Sequence, residues 1–209
     1  MGTRERRDRE RNETRKRILD AARELFATQG YDAVTMRKIA EKIEYTPTAI
    51  YFHFKDKDSL IAELCAGDFL AFSRLLFGIG SIADPIERLR RLADGYVSFA
   101  IDYPNHYRLL FMTPHPSRAD EDRVRRGVPE EDAYRFLQLT VAQAIAEGRF
   151  RPELTDADLV AQLLWAALHG VVSLHIAKCN ESWIEWRPIR ETTRLMVDAL
   201  TRGLSRQEA

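Results

Sequence analysis

The chain has 209 residues, 45% of them hydrophobic, which is enough to bury a substantial core and allows one long domain or two short ones. Formal net charge is zero, yet residues 1–60 hold 14 Lys and Arg against 11 Asp and Glu, so the mild basic excess lies at the N-terminal end. Two cysteines, Cys65 and Cys179, are too few for a disulfide scaffold and agree with a reducing cytoplasm, and no apolar run follows the first charges as a secretory signal requires.

Arginines 4, 6, 7, 9 and 11, interleaved with Glu5, Asp8 and Glu10, read as a basic, disordered segment over residues 1–11, which is either a solvated, frayed terminus or an arm for a polyanion. The first strong helix runs from about Asn12 to Gln29. Ile18, Leu19, Ala22, Leu25 and Phe26 form its stripe, and Gly30 takes the C-terminal cap. Tyr31 and Val34 then anchor a turn. Thr35 caps a short helix to about Ile43, whose Ile39, Ala40 and Ile43 face the first helix. After Glu44 and Tyr45, Thr46 caps a third helix that starts on Pro47, where a missing N–H costs nothing, and ends near Phe54. A long helix supporting two short ones is the arrangement of a helix-turn-helix module.

Further helices are expected over Asp58–Phe77, Pro85–Tyr103 capped by Asp84, Asn105–Met112, Glu130–Glu147 ended by Gly148, Asp156–Lys178 capped by Thr155, and Pro188–Gly203. His115 to Pro129, charged and holding two prolines, reads as a disordered loop. Strand patterns are missing, so the fold class is all-α with about nine helices. Leu159 to Ala177 carries no formal charge and approaches the roughly 20 residues that span a bilayer. Gln162, His169, Ser173 and His175 interrupt it, and a helix buried on two sides of a soluble protein gives the same pattern, so no membrane partner is expected.

Steps of 100° along the third helix put Ile50 and Phe54 on one side with Pro47, while Thr48, Ala49 and Phe52 fall opposite and Tyr51 and His53 flank them. The first pair belongs to a core. The second face, with Lys55 and Lys57 just beyond, has the size and chemistry for a DNA major groove: methyls and rings read thymine methyls, hydroxyls bond base edges or phosphates, and lysines bind phosphate.

Residues 14–60 resemble the DNA-binding domain of the TetR/AcrR family of bacterial transcription regulators. The resemblance is carried by the F-x-x-x-G-Y-D-x-V-T spacing from Phe26, the R-K-I-A-E block from Arg37 and I-Y-F-H-F-K-D-K from Ile50. It implies a DNA-binding domain over 12–57 and an effector-binding and dimerisation domain over 58–209. It also implies that Thr35 and Arg37 meet phosphate and often a base, that Pro47, Thr48, Ala49 and Tyr51 sit at recognition positions beside Thr46 and Phe52, and that His53 and Lys57 contact the phosphate backbone. One departure is Glu44, where the family most often has glycine at a place that favours positive φ. Tyr45 replaces a smaller aliphatic residue.

In the C-terminal half, WAALHG resembles the Trp-His-Gly element of one TetR-like subgroup, through Trp165, His169 and Gly170. Its helix has two apolar faces. The one with Leu164, Leu168, Val171 and His175 pairs with a stripe of Ile189, Met196 and Leu200 on the last helix to suggest a four-helix homodimer interface. Tyr103, Tyr107, Trp165 and His169 are candidates for lining an effector pocket. His175 and Cys179 share a helix face, but a metal site needs more ligands. No catalytic grouping or phosphate-binding glycine loop is visible, so neither enzyme activity nor a cofactor is expected. The reading is a homodimeric repressor that binds double-stranded operator DNA and leaves it when a small apolar or amphipathic effector binds. The rival is a helical binding protein that has lost specific DNA binding.

Overall fold

The computed structural model describes residues 3–114 and 124–206, and among these it contains nine helices and no strand beyond an isolated bridge between Phe150 and Ser205. Helix α1 spans Thr3–Gln29, so the expected disordered arm is helical from residue 3 onward. Arg and Glu are good helix formers, and pairs such as Arg6 with Glu10 (3.6 Å) support an exposed turn. A solvated charge run thus suits a polar helix as well as an arm. The helix ends at Gly30, whose φ of 79° only glycine adopts without strain and whose N–H donates to Phe26 O at 3.0 Å.

Helices α2 (Met36–Lys42) and α3 (Pro47–His53) follow their expected caps: Thr35 Oγ1 accepts from Lys38 N at 3.2 Å, and Thr46 Oγ1 from Ala49 N at 3.3 Å. Then come α4 (Lys57–Phe77), α5 (Pro85–Asp102), α6 (Pro104–Phe111), α7 (Ala133–Ala146), α8 (Ala157–Lys178) and α9 (Ile189–Leu204). Within the expected loop His115–Pro129, residues 115–123 lie outside the described residues. Val128 N donates to Arg125 O (3.2 Å), and α7 begins after Asp132, whose carboxylate caps Arg135 N, rather than at Glu130. The cap of α8 is Asp156, not Thr155: its carboxylate accepts from Asp158 N and Leu159 N at 2.9 and 3.1 Å.

The chain divides into two compact units, Met1–Phe69 with Asn105–Val124 and Leu70–Pro104 with Arg125–Ala209. The first buries Ile18, Ala22 and Phe26 of α1 with Ile39 and Ala40 of α2, Ile50 of α3, Leu60, Ile61 and Leu64 of α4, and Leu109 of α6. Each large side chain in this core contributes about 1.5–3 kcal/mol. In the second unit Ile86 and Leu89 of α5, Val141 and Ala144 of α7, Val160 and Ala161 of α8, and Leu204 of α9 close another core.

Helix α8 is long and apolar enough to cross a membrane, yet here it packs with α5, α7 and α9 through one face. The spacing assigned the face of Leu164 and Leu168 to a partner subunit, whereas in the protomer that face turns inward. Leu168 is buried within the protomer and Leu164 packs on its core, so these two are not available to a partner. The open apolar positions are instead Leu159, Leu163 and Leu174, with Ala166 and Gly170 between them.

Candidate nucleic-acid interface

Two backbone bonds shape the turn between α2 and α3: Tyr45 N donates to Ala40 O at 2.9 Å and Glu44 N to Glu41 O at 3.2 Å. This pair is the Schellman closure of a helix C-terminus, which requires a left-handed residue at the position that Glu44 occupies. Glu44 accordingly has φ 61°, and it is the one non-glycine residue with positive φ among the described residues. Its side chain is exposed. Tyr45 packs partly on the core, with the Arg17 guanidinium 5.2 Å from its ring centre and within 3.3 Å of Ile43 O.

Helix α3 divides as its spacing predicts at Ile50, Phe54, Thr48 and Phe52, but Pro47, placed on the core side by 100° steps, is exposed at the first turn, and Ala49 is partly covered. Ile50 and Phe54 are buried, whereas Tyr51 is 55% and Phe52 72% exposed, Pro47 and Thr48 are exposed and Ala49 is half-buried. An α-helix seven residues long with that face fits a major groove. Arg15 of α1 holds the C-terminal end of α3: Nη1 donates to His53 O at 2.9 Å, the guanidinium lies 4.3 Å from the Phe54 ring centre, and Nε donates to Glu63 Oε1 of α4 at 3.0 Å. A cation at a helix C-terminus opposes its partial negative charge, so this contact both aims and stabilises α3.

The ring of Phe52 lies edge-on to His53 (5.5 Å) with the Arg11 guanidinium 5.7 Å from its centre. His53 Nδ1 is buried and has no hydrogen-bond partner. Burial first, then the charges of Arg15 and Arg11, push the His53 pKa down and favour its neutral imidazole.

Lys57 stands elsewhere in the chemistry than its expected role. Its Nζ donates to Tyr31 O at 3.0 Å and Val34 O at 3.1 Å, and sits 3.9 Å from the Tyr31 ring centre. The ammonium therefore fastens the turn between α1 and α2 to α4. Beside it the Tyr31 hydroxyl donates to Asp58, and burial followed by that carboxylate pushes the phenol up to about 12. On α2, Arg37 is exposed and reaches Glu41 at 2.8 Å, a surface pair weak enough for a phosphate to replace. Thr35 is exposed beside it.

The second unit holds a polar group inside aromatic surroundings. Trp165 Nε1 donates to Tyr96 Oη at 3.3 Å, and the same oxygen lies 3.2 Å from His169 Nδ1. Burial alone pushes the His169 pKa down, so a neutral imidazole faces the phenol. Tyr134 and Phe72 adjoin Trp165 and Tyr96 at 5.9 and 5.8 Å. Of the four residues expected to line a pocket, Trp165 and His169 meet here, Tyr103 is 49% exposed at the end of α5, and Tyr107 is fully buried on α6 with its ring 5.1 Å from that of Phe111. Tyr96 escaped the sequence reading, although a tyrosine within the apolar stripe of Leu89, Leu92, Ala93 and Val97 must find a partner for its hydroxyl. Arg15 escaped it as well. Among the described residues no three His, Cys, Asp or Glu side chains gather as a metal would need.

A Schellman-closed turn between two capped helices, with an apolar and hydroxylic face left open, makes the first unit a helix-turn-helix DNA-binding module. Residues 18–64 match the family model described as bacterial regulatory proteins, tetR family, and residues 89–201 match that of a tetracyclin repressor-like C-terminal domain. The chain belongs to the tetR family of bacterial transcription regulators and is a DNA-binding regulator. It is 32% identical over 157 residues to the HTH-type transcriptional repressor KstR2 of Mycobacterium tuberculosis, covering 73% of this chain and 76% of that one. To the HTH-type transcriptional regulator TtgR of Pseudomonas putida it is 27% identical, over 78% and 80% of the two chains. Its fold matches that of FadR from Bacillus subtilis, solved in complex with stearoyl-CoA, with a TM-score of 0.72 over 90% and 98% of the chains at 19% identity. The C-terminal model is not named for the Trp-His-Gly subgroup, so Trp165, His169 and Gly170 are best described by their contacts.

Proposed function

We propose that the protein is a homodimeric repressor that leaves a palindromic operator when an amphipathic small molecule binds in its C-terminal unit. Repression is supported by KstR2, a repressor by its name. Thr48, Ala49 and Tyr51 meet bases, while Thr35, Arg37, Thr46 and His53 bind phosphate. Helix α8 carries the dimer. Its open stripe of Leu159, Leu163, Ala166, Gly170 and Leu174 recurs at three and four residues, with the exposed Leu195 on the adjoining α9, and small residues at its centre permit close helix approach.

The observation that carries the effector reading is the Tyr96, Trp165 and His169 group: three hydrogen-bonding side chains among Phe72, Phe99 and Tyr134 are what an apolar ligand with one polar end requires. The stearoyl-CoA held by FadR has this character, and a long-chain acyl thioester is the first class to test. Release follows by population shift, since a ligand preferring one dimer geometry moves the two copies of α3 off successive major-groove half-sites. Selection of bound sequences from random duplexes should return a palindrome, and stearoyl-CoA should then weaken binding to it. Recovery of no enriched sequence would favour the rival, a helical ligand-binding protein without specific DNA binding.

A further inference from the structure

The N-terminal part of α1 needs a separate explanation. Arg4 to Glu13 are all exposed and include no apolar residue, so this stretch adds nothing to either core. Isolated polar helices of such length are marginal, and this one persists as the continuation of a packed helix.

Its charges are sorted by face. At 100° per residue, Arg4, Arg7, Arg11 and Arg15 fall within an arc of about 80°, together with the buried Ile18. Glu5, Glu10 and Glu13 lie on the other side with Arg6 and Arg9, and only Asp8 borders the arginine row. The orientation of that row is fixed at two points: Arg15 binds His53 O, and the Arg11 guanidinium lies against the ring of Phe52. The arginine face is therefore the one turned toward the C-terminal end of the recognition helix, and Arg7 and Arg4 extend it beyond that end.

We infer that α1 carries a second, preformed DNA contact: Arg4, Arg7 and Arg11 bind phosphates outside the base pairs that α3 reads, with Phe52 serving as the platform that aims Arg11. Arg4 stands about 16 Å from Arg15 along the helix, which corresponds to about five base-pair steps of duplex. The partner is the duplex backbone, because arginine forks match phosphate geometry and the row runs past the C-terminal end of α3 and away from it. The inference rests on the DNA-binding reading and extends its footprint.

The test compares the triple variant Arg4→Gln, Arg7→Gln, Arg11→Gln with the control Arg6→Gln, Arg9→Gln on the opposite face, after circular dichroism has shown equal helicity and Tm. Fluorescence anisotropy against a selected operator and a mixed-sequence duplex of about 30 base pairs, or three helical turns, is followed over a salt series. The triple variant should lower the slope of log K against log salt by about 2–3 per protomer, at about 0.9 for each phosphate lost, on both duplexes. Its hydroxyl-radical footprint should shorten at the outer edges. Phe52→Leu should remove about one unit of slope without touching any charge. An unchanged slope and footprint in the triple variant would overturn the inference, as would an equal loss in the control, which would indicate a diffuse field instead of a directed row. Failure of the unmodified protein to bind either duplex would overturn the regulator reading along with it.

Discussion

Glu44→Gly tests whether the turn before the recognition helix is strained. At φ 61° a non-glycine residue pays about 1–2 kcal/mol, and glycine returns about 0.5–1 kcal/mol of that through its greater freedom in the unfolded chain. The middles of these ranges leave a stabilisation of about 0.75 kcal/mol, and about 1 kcal/mol corresponds to a Tm rise of about 2–4 °C in a protein of this size. The bonds from Glu44 N to Glu41 O and from Tyr45 N to Ala40 O survive the change, since both involve backbone alone. Glu44→Ala supplies the comparison, because it removes the same carboxylate but keeps a Cβ in the left-handed region. Calorimetry should show a higher Tm for the glycine variant and little change for the alanine one. If alanine stabilises as much as glycine, the cost lies in charge and the backbone argument is wrong. Operator affinity provides a second reading: both variants should bind DNA more tightly at low salt, where a carboxylate next to phosphate repels most strongly.

Lys57→Ala should lower stability by about 1–3 kcal/mol, since it strips a charged donor from the Tyr31 and Val34 carbonyls. It should leave the salt slope of DNA binding nearly intact, and a slope reduced by about one unit with an unchanged Tm would restore the phosphate role. Leu163→Glu or Leu174→Glu should yield monomers in sedimentation, whereas Leu168→Ala should cost stability and leave association intact; the opposite pattern would return the interface to the face of Leu168. His53, His106 and His169 all have lowered pKa values, chiefly from burial, with Arg15 and Arg11 adding to the effect at His53 and Asp68 opposing it at His106. The unfolded chain then binds protons more readily than the folded one, so stability is complete above the usual imidazole range and is lost as pH falls through it. Thermal melts between about pH 7.5 and pH 5 should show Tm falling toward acid, less steeply in His169→Gln, and a flat profile would refute the assignment.

Local chemistry carried a large share of this protein into its sequence. Thr35 and Thr46 cap helices because each is a hydroxyl in extended backbone before a free N–H, and Ile50 and Phe54 turn inward because four residues bring a side chain back to the same face. The positive φ of Glu44 was expected from the family resemblance, which most often places glycine there, and the Schellman closure seen in the structure supplies its physical reason. Other features depend on what a side chain meets across the fold. Lys57 reads as a free cation in sequence and becomes a turn fastener only when Tyr31 and Val34, more than twenty residues earlier, come within 3.1 Å. The two apolar faces of α8 look equivalent until α5, α7 and α9 cover one of them, and the polar partner of Trp165 and His169 is a tyrosine about seventy residues away on α5. Periodicity and capping are properties of neighbouring residues along the chain, so composition and spacing determined them. The use of a charge or an apolar face is decided by desolvation and contact with distant segments, and those exist only once the helices have packed.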